Sequence, residues 1–112
     1  MSSKQDYIRA LWVAIWNRHA CDAVHVETVH VTEYSKGKLV WDGDVEIFDL
    51  LDFRKAKRAY AWTQVHGDLR EQTRHVVVLE IPPVMDAKTA VQAAIKAASV
   101  LDNDPPHSSA RV

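Results

Sequence analysis

Three carboxylates alternate along one short stretch of the chain: Asp42, Asp44 and Glu46. In an extended strand every second side chain points to the same face, about 6–7 Å from the next. Such a row has two chemical uses. It can offer oxygen ligands to a divalent cation. It can also supply an acid/base pair, because neighbouring carboxylates push one another's pKa upward. A histidine such as His66 would complete a small catalytic or metal-binding set. The structural alternative is a solvated sheet face beside Arg and Lys on a neighbouring strand, since opposite charges commonly pair across strands.

The other chemistry-bearing residues are scattered. The six histidines are His19, His25, His30, His66, His75 and His107. His25 and His30 differ in strand parity and converge only if a bulge intervenes. There is no HExxH motif and no paired CxxC, so no metal and no cofactor is expected. Cys21 is the sole cysteine, which excludes an intramolecular disulfide and favours a reducing compartment. No GxSxG elbow is present. The three glycines, Gly37, Gly43 and Gly67, are too far apart for a phosphate-binding loop.

Arg54 to Trp62 places four basic residues ahead of a strand on which Tyr60 and Trp62 share a face. Two aromatics on a sheet can stack bases. Arg58 to Val65 resembles the RNP1 element of RNA recognition motifs, and that resemblance implies single-stranded RNA binding through Tyr60 and Trp62. It spans eight residues, with Ala59 in place of glycine and Val65 in place of an aromatic. That fold also begins with a strand. The helix–strands–helix order is closer to a double-stranded-RNA-binding domain, but no lysine cluster opens the second helix. Fourteen basic residues meet fifteen acidic ones, so the charge excess of a dedicated nucleic-acid binder is missing. Nucleic acid is not the expected partner.

The elements that must carry these residues follow from periodicity. Ile8, Leu11, Trp12, Ile15 and His19 share one helical face, which predicts a helix over 7–20 capped by Ser2 or Ser3. Val24 to Tyr34 predicts a strand, with a bulge near Glu27–Thr28 to bring its valines onto one face. A turn at Ser35–Lys38 leads to a second strand, Leu39 to about Phe48. Asp42–Gly43 is a competing hairpin signal. After a connection over 49–57, strands follow at 58–66 and 73–81. The last contains Val76-Val77-Val78-Leu79, the pattern of a central strand or of a sheet covered twice. Pro82–Pro83 ends it, and Asp86 caps a helix over 87–101.

The expected fold is therefore α+β in the order α-β-β-β-β-α. It is a four-stranded antiparallel meander with the N-terminal and C-terminal helices packed on one face. Residues 1–104 are expected to form one domain and 105–112 a disordered C-terminal tail. The small residues Ala59 and Ala61 suit the face beneath the helices, which sends Tyr60 and Trp62 to the open face beside the acidic row. The reverse assignment puts both aromatics in the core. An open apolar face would need a cover, and a second copy of the chain is the simplest one. A groove there could take a small-molecule ligand. No apolar run is long enough to span a membrane and no secretory pattern opens the chain, so a cytoplasmic protein is expected. The reading favoured is a non-catalytic homodimeric binding module. The alternatives are a small enzyme or metal-binding domain built on Asp42, Asp44 and Glu46, and a single-stranded RNA binder. The residues named for ligand binding are Asp42, Asp44, Glu46, Tyr60, Trp62 and His66.

Overall fold

The computed structural model of the chain describes residues 3–65 and 73–103. Helix α1 spans Lys4–His19. A reciprocal cap starts it. The Asp6 N–H donates to the Ser3 hydroxyl, and the Ser3 N–H donates to the Asp6 carboxylate. It ends at Ala20, which adopts the left-handed conformation at φ 53°.

Strands β1 (Asp22–Ser35) and β2 (Lys38–Leu51) form a long hairpin. Its turn residues, Lys36 and Gly37, both have positive φ, at 54° and 80°. That is the geometry whose twist matches two-residue hairpins. Asp42–Gly43 is not a turn and lies within β2. A methyl group at Gly43 would stand 3.2 Å from the Trp41 ring, so this glycine makes room for an indole.

The pairing passes from His25 opposite Phe48 to Glu27 opposite Ile47, leaving Val26 as an extra residue. This bulge is one residue from the expected place. It moves everything after it to the other parity. Val24, Val29 and Val31 then share one face, while His25, Thr28, His30 and Thr32 share the other.

Strands β3 (Arg58–Val65) and β4 (Thr73–Leu79) complete an antiparallel sheet in the order β1-β2-β3-β4, and helix α2 (Ala87–Asn103) follows. The element order and the meander are as the sequence predicts. The placement of the helices is not. They cover opposite faces. Leu11 and Ile15 of α1 pack on Cys21, Phe48, Leu50, Ala59 and Ala61. Ala87, Ala90 and Val91 of α2 pack on Val31, Val45, Ile47, Tyr60 and Trp62. Residues 59–62 alternate between the two cores, which fixes the helices on opposite sides.

The physical reason is that β3 has two apolar faces, one of small and one of large residues. Each buries best under its own helix, and the alanines of α2 leave room for the two aromatics. β4 repeats the pattern, with Val77 and Leu79 toward α1 and Val76 and Val78 toward α2. The sheet thus carries a helix on each face, where the sequence predicts both helices on one.

β2 and β3 pair only from Glu46–Asp49 to Arg58–Ala61 and then part. The Thr63 N–H, which would otherwise reach across to β2, donates to the Tyr7 hydroxyl of α1 at 2.9 Å. A buried donor cannot be left unmatched without cost, and α1 supplies the acceptor that the strand does not. Residues 105–112 and His66 lie outside the described residues. Among the described residues no helix is long and apolar enough to cross a membrane.

Candidate functional site

Asp42, Asp44 and Glu46 do share a face, the one beneath and beyond α1. Their partners are not the Arg and Lys expected from a neighbouring strand. They come from β1. His30 stands opposite Asp44. Its Nδ1 is 2.7 Å from Asp44 and its Nε2 2.9 Å from Asp42. The Thr32 hydroxyl donates to Asp42 at 3.0 Å.

A ring held at both nitrogens by carboxylates favours the imidazolium. The hydrogen bonds to Asp44 and then Asp42 raise the His30 pKa above its ordinary value. The Asp42 pKa is lowered by the Thr32 hydroxyl first and by His30 second. The sign of the pH dependence follows. The His30 contribution is present below the usual histidine pKa of about 6.5 and is lost as pH rises through the raised value. The Asp42 contribution is present above the usual aspartate pKa of about 3.9 and is lost as pH falls through the depressed one. The far end of the hairpin is therefore held best between these limits. Ring-proton NMR is expected to show His30 titrating above about 6.5, with Asp44→Asn lowering the midpoint more than Asp42→Asn. A midpoint unmoved by either substitution would contradict the geometry.

Glu46 is 1% exposed, under the first turns of α1. Its carboxylate bonds His25 Nε2 at 2.8 Å and Lys4 Nζ at 3.1 Å, and it accepts from the Thr28 hydroxyl. Lys4 also donates to Thr28 at 3.2 Å. His25 stands edge-on to Phe48, with ring centroids 5.4 Å apart. A buried carboxylate requires this much compensation.

His25, Thr28, His30, Thr32 and Lys4 were not among the residues the sequence singles out for the site. The signal was present in β1, where the histidines and threonines fall into one parity once Val26 is removed from the count. Lys4 left no comparable trace, because its approach depends on where α1 crosses the sheet.

The acidic row borders a cleft where β2 and β3 part, together with Lys4, Tyr7, Trp41 and Trp62. This brings four of the six expected ligand-binding residues to one place. It does not make the Trp62 ring available. Trp62 and Tyr60 are 2% and 1% exposed, in the core beneath α2. The Trp62 indole donates to Gln64 and packs edge-on against Trp41. The Tyr60 hydroxyl donates to Glu80; burial first, and then that bond, raises its pKa. Base stacking on Tyr60 and Trp62 is excluded, since no base can reach either ring face. Among the described residues no group of three or more His, Cys, Asp and Glu could hold a metal ion. Cys21 is buried and its thiol pKa is raised, mainly by that burial. Comparison with protein-family models, curated proteins and solved structures found no match.

Proposed function

We propose that the chain is a non-catalytic binding module that works as a homodimer, joined through the β4 edge. The observation carrying this reading is the contrast between the two sheet edges. β1 is guarded. It carries Asp22 and Glu27 and a bulge at Val26. Acidic side chains and bulges both discourage edge-to-edge pairing. β4 is unguarded. It pairs with β3 without a register shift, contains no proline, and has Arg74 as its only Lys, Arg, Asp or Glu. Three consecutive valines follow His75.

The β4 backbone groups that turn away from β3 can be assigned. Glu80 N–H donates to Arg58 C=O at 2.9 Å. Strand alternation then turns the N–H and C=O groups of Val76 and Val78 toward β3, and those of His75 and Val77 outward. A second copy related by a twofold axis at Val77 would pair with these groups and extend the sheet to eight strands. Such self-complementary contacts are the usual form of soluble dimers.

The non-catalytic part of the reading rests on the acidic row. His30 has both ring nitrogens engaged, and Glu46 is held by three side chains. These groups hold the hairpin and α1 in place.

Light scattering at about 10–100 µM protein, a range suited to micromolar association, is expected to give twice the chain mass of 12.7 kDa. His75→Pro removes an outward donor and keeps the backbone ladder to β3, giving up the His75–Thr63 side-chain bond, and is expected to yield a folded monomer. A monomeric parent chain across this range would overturn the assembly.

A further inference from the structure

A groove of about 740 Å³ runs between α1 and the β1 edge, away from β4 and independent of the assembly proposed above. Its walls are Ile8, Trp12 and Val13, with the buried Phe48 behind them. Val13 is exposed there, and Ile8 and Trp12 are half-buried. Three cationic or protonatable side chains, Lys4, Arg9 and His25, also line it. Apolar walls with a few convergent polar groups are the usual make-up of a small-molecule site.

Three acids lie nearby, and each is engaged by protein groups: Asp22 accepts from Trp12 Nε1 and from Ala23 N–H. Asp6 lines the groove, but its carboxylate is turned to the helix cap and accepts from Ser3 N–H. Glu46 is buried beneath Lys4 and His25, bonded to both. Its effect is to hold them in position. Lys4 has three ammonium hydrogens and two protein acceptors, Glu46 and Thr28. Arg9 makes no ion pair among the described residues.

We infer that this groove binds a small amphipathic carboxylate, with its apolar body along Ile8, Trp12 and Val13 and its anionic head against Lys4 and Arg9. Arg9, with no ion pair among the described residues, and the spare ammonium hydrogen of Lys4 favour an anion over a neutral or cationic molecule of the same shape. An organic acid of about a dozen heavy atoms binds with a dissociation constant on the order of 0.1–1 mM at ordinary ligand efficiency.

The test uses the full chain and three probes below their micelle concentrations: decanoate, decanol and decyltrimethylammonium. Binding is read from the Trp12 indole N–H resonance, which reports the groove because Trp12 Nε1 donates to Asp22 at 2.9 Å. Decanoate is expected to bind about tenfold or more tightly than the cation, the equivalent of about 1.4 kcal/mol. Arg9→Gln is expected to weaken decanoate about tenfold and leave decanol unchanged. This exposed position keeps the fold intact, so a lost response cannot be attributed to unfolding. Equal binding of decanoate and the cation would overturn the inference. So would shifts from decanoate that leave Trp12 and Val13 unmoved, or an Arg9→Gln chain that binds decanoate as the parent does.

Discussion

Replacing Trp62 with alanine is expected to cost about 3–5 kcal/mol of folding stability, the range for emptying a fully buried aromatic site. Domains of this size are stable by only about 5–15 kcal/mol, so the variant should melt far below the parent. At about 4–8 °C per kcal/mol the drop is roughly 12–40 °C. The size of the effect follows from the surroundings. Trp62 is 2% exposed and meets Trp41 edge-on at 5.5 Å, beneath the Ala87, Ala90 and Val91 face of α2. These neighbours cannot collapse into an indole-sized void, because α2 is also fixed elsewhere. Lys88 and Gln92 bond Glu33 on β1. Trp16→Ala is the matched control, since Trp16 is 48% exposed on α1 and should lose about 1 kcal/mol or less. Thermal and urea unfolding followed by circular dichroism would measure both. A Trp62→Ala cost no larger than the control would place the indole on the surface, as the RNA-binding reading requires, and would undo the assignment of faces.

That assignment was the point at which the sequence stopped being readable. The order of elements could be read because each boundary has a local chemical cause. Ser3 and Asp6 form a cap, Lys36-Gly37 accepts positive φ, and Pro82–Pro83 cannot continue a strand. The side of the sheet each helix takes has no local cause. Ala59-Tyr60-Ala61-Trp62 offers two apolar faces, and either one could lie under a helix. Only the second helix, packed on the face the first leaves free, resolves the choice. The apolar run in β4 held the missing information, since a meander's last strand with both faces apolar implies cover on both sides.

The candidate site shows the same division. The acidic row was legible because strand alternation is strict over Asp42, Asp44 and Glu46. Its partners were not, because they depend on one extra residue. With Val26 bulged, His25 and His30 point the same way; without it they oppose each other. A bulge moved by one residue exchanges the faces of the residues between, and no propensity scale resolves its position that finely. The contribution of Lys4 is less local still, because Lys4 stands more than forty residues before Glu46 in the chain.

Glu46 is where these separate elements meet, and Glu46→Ala is expected to cost about 2–3 kcal/mol. Removing one member of a buried ion pair costs about 3–5 kcal/mol when the remaining charge stays buried. Here the lower figure applies, because Lys4 is 54% exposed and His25 28% exposed, so both can turn to water once the carboxylate is gone. Thr28 is exposed as well, which limits the loss further. The remaining cost comes from the void under α1 and from loosening the helix start, whose one ion pair among the described residues, through Lys4, is to Glu46. Hydrogen exchange should therefore quicken in the first turns of α1 and at Thr63, whose amide relies on Tyr7 of the same segment. The exchange at Val91, in the other core, should change only as much as global stability does. A double-mutant cycle of Lys4→Met with Glu46→Gln separates the ionic contribution from the packing one. A coupling of at least about 0.5 kcal/mol is expected, the lower bound for residues sharing one network. An additive pair would mean that Lys4 merely lies over Glu46, and that the buried carboxylate is sustained by His25 and Thr28 alone.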